Sequence, residues 1–112
     1  MRRVAIQQLR ADGIGLILEW DEDTEKVALA QAARSGEERD QAYDRLIALQ
    51  RAMRSQGVGW VDVELTERHR PVCGVRALAL VWRAEMRSDG GARQVAEVVK
   101  WGLTRGRSGE VE

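Results

Sequence analysis

Residues 35–67 read SGEERDQAYDRLIALQRAMRSQGVGWVDVELTE, and the hydrophobic period changes once inside them. In the first part Ala42, Tyr43, Leu46, Ile47, Leu49 and Met53 recur at i, i+3, i+4 and i+7. That spacing draws one apolar stripe along a helix, and Arg39, Asp40, Asp44, Arg45 and Arg51 fall largely opposite it. Ser35 followed by Glu38 has capping-box spacing, and Gly57 suits a left-handed terminator. The pattern predicts a helix over residues 37–56. From Trp60 the period drops to two: Val61, Val63 and Leu65 take one side, and Trp60, Asp62, Glu64 and Thr66 the other. A strand with one buried and one wet face reads this way. A helix and a half-buried strand joined by so short a link point to an α+β domain.

Working outward, residues 4–9 are half-apolar and lead to Asp12-Gly13, a hairpin signal because tight primed turns need positive φ. The return run has Ile14, Leu16, Leu18 and Trp20 on one face and Gly15, Ile17 and Glu19 on the other. Asp21, Glu22, Asp23 and Glu25 then lead into the Ala-rich residues 27–33. Acids before an Ala-rich run suit a helix start facing the positive end of the macrodipole, with Gly36 as its end. Beyond the quoted stretch, Glu67, Arg68, His69, Arg70 and Pro71 read as a polar break. Residues 72–87 are apolar on both faces through their middle, as in the centre of a sheet. Residues 88–91 read as a turn with Asp89 as a helix cap. Ala92, Val95, Val98, Val99 and Leu103 trace a last helix, ending near Gly106 beside Arg105 and Arg107. The expected fold is a two-layer α+β domain: an antiparallel sheet of two β-hairpins with three helices, in the order ββααββα. Residues 1–107 form the single domain and residues 108–112 a frayed tail. A short echo, Gly13-Ile14-Gly15 against Gly57-Val58-Gly59, is too brief to establish a duplication.

The 112 residues are 44% hydrophobic and 32% charged, too apolar for intrinsic disorder. The longest apolar run, residues 77–82, is far short of the roughly 20 residues that span a bilayer. Gln7, Gln8, Arg10 and Asp12 interrupt any signal-peptide core, so no secretory leader is expected. Cys73 is the only cysteine, which rules out an intramolecular disulfide and fits a reducing, cytoplasmic setting. Basic and acidic residues balance at 18 each, whereas a chain that grips phosphate backbones usually carries a basic excess.

No catalytic, metal or cofactor site is expected. His69 and Cys73 are close in sequence, but Cys73 adjoins an apolar strand, where cysteine behaves as a small hydrophobe. Asp21, Asp23 and Glu25 have calcium-loop spacing, yet Lys26 replaces the turn glycine and Ala32 the closing glutamate. The two Gly-x-Gly pairs precede strands, where a phosphate loop needs a helix N-terminus behind it.

The aromatic balance is unusual: four Trp and no Phe. Trp20 and Trp82 sit in apolar strand faces and read as core. Trp60 shares its face with Asp62 and Glu64, and Trp101 lies off the Val95/Val99/Leu103 stripe. An exposed Trp among charges is the usual anchor of an interface. The expected function is therefore a non-enzymatic protein-interaction module (an assembly or adaptor subunit, or an inhibitor of a larger complex), able to self-associate. Trp60, Trp101, Asp62 and Glu64 would contact the partner. The alternative is a nucleic-acid or acidic-partner patch made by Arg68, His69, Arg70 and Arg76. A third class, a small enzyme with a site between subunits, lacks an evident base or nucleophile.

Overall fold

A computed structural model describes residues 4–11, 13–72, 75–87 and 90–106 of the chain. The first helix, α1 (Gly36–Ser55), forms where its caps place it. Ser35 is extended and its Oγ accepts the Glu38 N–H at 3.2 Å. Glu38 reaches one residue further back than a capping box requires, accepting the Arg34 N–H at 2.9 Å and the Arg34 side chain. The hydrogen-bonded guanidinium holds the Glu38 carboxyl below the usual carboxylate range. At the other end Gly57 takes φ +80°, a conformation that costs glycine nothing. Gly57 N–H donates to Arg54 O, and Val58 N–H to Met53 O, which completes a Schellman turn with Val58 and Met53 both in the core. Ser35→Ala is expected to cost about 0.5–2 kcal/mol, read as a lowered urea midpoint.

The remaining elements are β1 (Val4–Ala11), β2 (Ile14–Asp21), β3 (Lys26–Ala33), β4 (Trp60–Val72), β5 (Val75–Met86) and α2 (Gly91–Gly106). The five strands make one antiparallel-paired sheet in the order β1-β2-β3-β5-β4. Because β3 and β4 both run antiparallel to β5, they are parallel to each other, and α1 supplies the crossover such a pair needs. The expected α+β class and both expected hairpins, β1–β2 and β4–β5, are present. The order is βββαββα, however, with two helices rather than three.

The missing helix is β3. Its Ala-rich sequence favours a helix in isolation, but it is laddered on both sides, to β2 and β5, and that context overrides propensity. The acids ahead of it form the β2–β3 turn. The Asp21 carboxylate accepts the N–H groups of Asp23 and Thr24 at 3.0 and 3.3 Å, an Asx turn, and Glu25 takes φ +55°. Acids do cap a helix here, but it is α2. Glu25 Oε1 accepts the Ala92 N–H at 2.9 Å and Oε2 the Gly90 N–H at 3.1 Å, while Glu22 pairs with Arg93. Asp89, the expected cap, lies outside the described residues, as do Asp12, Cys73, Arg107 and the tail 108–112. Gly91 opens α2 against β5, where an added Cβ would stand 2.6 Å from Met86 Cβ.

Both helices lie on one face of the sheet. Leu16 and Leu18 of β2, Val27 and Leu29 of β3, and Leu80, Trp82, Ala84 and Met86 of β5 meet two helical stripes there. These are Ala42, Leu46, Leu49 and Met53 of α1 and Ala92, Val95, Ala96, Val99 and Leu103 of α2. Trp82 is 1% exposed, and its Nε1 donates to Gln50 Oε1 at 3.0 Å. Gln31 is also fully buried on this face, with no hydrogen-bond partner for its amide among the described residues.

Two further expectations are corrected. The polar break at residues 67–71 is instead part of β4, which runs on to Val72 as an edge strand, the position where a proline such as Pro71 is tolerated. The alternation around Trp60 breaks at a β-bulge between Trp60 and Asp62. The extra residue, Val61, is 64% exposed, and Trp60 comes into phase with Val63 and Leu65 on the helix-covered face.

The second face of the sheet carries a smaller apolar cluster of Ile17, Ala30, Val72, Ala79 and Val81. Points on β4 come within 8 Å, Cα to Cα, of β2, although β3 and β5 separate them in the ladder. The Val72 end of β4 therefore curls over this face, and Val72 closes the cluster. Among the described residues no helix is long and apolar enough to cross a membrane.

Candidate functional site

The helix-free face is graded from one end to the other, and register explains the gradient. Side chains directly opposite one another across an antiparallel ladder share a face. One row across the sheet is therefore Ile6, Glu19, Ala28, Arg83 and Glu64. The next row is Val4, Asp21, Lys26, Glu85 and Asp62. In the other direction the neighbouring row is Gln8, Ile17, Ala30, Val81 and Thr66, the apolar zone beneath the curled end of β4.

The two charged rows line a shallow hollow of about 410 Å³. Ala28 makes its floor low, because a methyl group stands between the longer Glu19 and Arg83. Among the described lining residues Glu19, Asp21, Asp62, Glu64 and Glu85 bring five carboxylates against two cations, Lys26 and Arg83. Asp21 is 4% exposed, and its carboxylate is engaged by the turn; Asp62 accepts the Val63 N–H at 2.9 Å. The hollow is thus an acidic surface with cations set into it.

The four expected partner-binding residues are divided between the two faces. Asp62 and Glu64 are exposed and lie in the hollow. Trp60 lies on the helix side, edge-on to Trp82 with ring centroids 6.3 Å apart, and the Arg54 guanidinium sits 5.3 Å from its ring centroid. Its backbone carbonyl accepts from Arg87. Trp101 is 58% exposed on α2, within the helical layer and away from the hollow. The sheet thus separates the two tryptophans from the two acids.

The expected basic patch is divided as well. Arg68 pairs across the ladder with Ala79 on the helix-free face, whereas His69 pairs with Leu78 and takes the helix side. Both are exposed. The side chains of Arg70 and Arg76 lie outside the described ones. Other arginines are interleaved with acids: Arg39 bonds Glu67, Arg93 bonds Glu22, and Arg83 is set in the hollow opposite Glu64. Among the described residues no group of three or more His, Cys, Asp or Glu side chains could hold a metal ion.

From the sequence, Asp21 came up only in a calcium-loop spacing that Lys26 interrupts, and none of Glu19, Asp21, Lys26, Arg83 and Glu85 was placed with Asp62 and Glu64 in one site. Glu19 was legible as an outward residue of β2, and Arg83 and Glu85 share the outward parity of β5. What was missing was β3, the strand that joins them. No known protein family, curated protein or solved structure matches the chain.

Proposed function

We propose that the chain is a non-enzymatic protein-interaction module of the cytoplasm, an adaptor or inhibitory subunit, and that the acidic hollow receives a basic segment of its partner. The observation that supports this reading is the pair of registered charged rows on the sheet face opposite the two described helices. Carboxylates grouped in a concavity steer cations toward it and raise the rate of encounter with a basic surface. The same field disfavours the phosphate backbone of a nucleic acid, and the two described members of the basic alternative, Arg68 and His69, lie on opposite faces of β4.

The test uses two labelled peptides of equal length, one rich in Arg and Lys and one rich in Asp and Glu, followed by fluorescence anisotropy. The basic peptide should bind and the acidic one should not. Binding should weaken as salt rises from 0.1 M to 1 M, where screening shortens to about 3 Å. Asp62→Lys combined with Glu64→Lys, both at exposed positions, should weaken it about tenfold or more, equivalent to about 1.4 kcal/mol, with an unchanged circular-dichroism spectrum. Equal affinity in wild type and variant would count against the hollow as the site. Preference for the acidic peptide, or for an oligonucleotide used as a third probe, would favour the basic-patch alternative.

A further inference from the structure

The two edges of the sheet are built differently. An edge strand presents unpaired N–H and C=O groups, and proteins blunt such edges with bulges, proline and charge. Edge β4 carries all three: the bulge at Trp60/Asp62, Pro71, and the charged side chains Asp62, Glu64, Glu67 and Arg68. Edge β1 carries none of them but Arg10. Its eight residues pair with β2 in unbroken register, it has no proline, and Val4 and Ile6 are 47% and 63% exposed. Among the described strands nothing pairs with its outer side.

The geometry points to a second copy of this chain as the occupant: β1 pairs with β1 of the copy, antiparallel about a two-fold axis, to make a continuous ten-stranded sheet. A two-fold contact requires that if residue i meets j, then j meets i. With Gln7 on the axis, β1 satisfies this over its length. Ala5 then faces Leu9 of the second copy, small against large on one face. On the other face Ile6 meets Gln8 of the second copy, and Val4 meets its Arg10.

Charge complementarity selects this register. Val4 lines the acidic hollow beside Asp21, and Glu19 stands next along β2. Arg10 of the second copy would therefore arrive at the rim of the hollow, placing a cation against the acidic end of each sheet, twice by symmetry.

The experiment is sedimentation velocity on the full chain, with the single-chain mass of 12.6 kDa as reference, together with disulfide trapping in a Cys73→Ser background. Wild type should sediment as a dimer. Ile6→Lys, a charge at an exposed edge position, should sediment as a folded monomer, with its circular-dichroism spectrum unchanged. Gln7→Cys, on the axis, should crosslink to itself far faster than Arg10→Cys, because directly opposed Cβ atoms are about 4.5–5.5 Å apart. A wild-type monomer, an Ile6→Lys dimer, or trapping no faster at Gln7 than at Arg10 would each overturn the proposal. A monomer whose β1 is instead protected by an extended peptide of another sequence would overturn it in favour of a foreign strand. These readouts involve no basic peptide, so the dimer and the acidic-hollow reading stand or fall separately.

Discussion

Trp60→Ala is expected to unfold at a lower urea concentration than wild type, with a loss of about 3 kcal/mol or more. Read by alternation alone, Trp60 points away from the core with Asp62 and Glu64, and its truncation should leave the fold nearly intact. The bulge reverses this. By absorbing Val61, β4 turns the Trp60 ring under α1 and against Trp82, in an edge-to-face pair at 6.3 Å and 86°. Such a pair adds about 0.5–1.5 kcal/mol beyond area burial, and the Arg54 guanidinium 5.3 Å from the ring centroid adds to it. Trp60→Phe should recover much of the loss. A midpoint within error of wild type for Trp60→Ala would mean that the ring faces water, and the bulge would be misplaced.

Glu25→Ala is expected to cost about 2–3 kcal/mol, the sum of a lost helix cap and hydrogen bonds to a charged acceptor. One carboxylate holds Gly90 N–H and Ala92 N–H, and the Glu25 backbone carbonyl holds Met86 N–H at 2.8 Å. The β2–β3 turn is thereby fastened to the start of a helix more than sixty residues further along the chain. Glu25→Gln keeps an acceptor without the charge and should fall between wild type and Ala. Amide hydrogen exchange in the first turn of α2 should accelerate in the Ala variant before the rest of the domain does. Unchanged exchange there would show that α2 starts without this cap.

Several parts of the fold were legible because local chemistry and long-range packing agree. Ser35, the Ala42/Leu46/Leu49/Met53 stripe and Gly57 all specify α1 independently of anything it touches. The two-sided apolar run around Val81 and Trp82 marks β5 as central, and it lies between β3 and β4 with an apolar cluster on either face. β3 was not legible, for the opposite reason. Residues 27–33 prefer helix locally and become a strand only because β2 and β5 flank them. The acid run before them carried a true signal, carboxylates at a helix N-terminus, but the helix is α2, and sequence distance hid it. The bulge was hidden because Trp60 and Val61 are both apolar strand formers, so neither marks which of them is the inserted residue. The candidate site inherits these limits. Asp62 and Glu64 were read as outward and are, whereas Ala28 and Lys26, which join β2 to β5 across the hollow, could not be placed while β3 was read as a helix.

The central functional claim is that a basic segment binds in the hollow of the helix-free face. It is tested most directly by titrating the Arg- and Lys-rich peptide into isotopically labelled protein and following each backbone amide by NMR. Shifts should concentrate on Glu19, Ala28, Glu64, Arg83 and Glu85, with α1 and the Arg68–His69 segment unmoved. Shifts confined to Trp101 and the helical layer, or to Arg68 and His69, would contradict it.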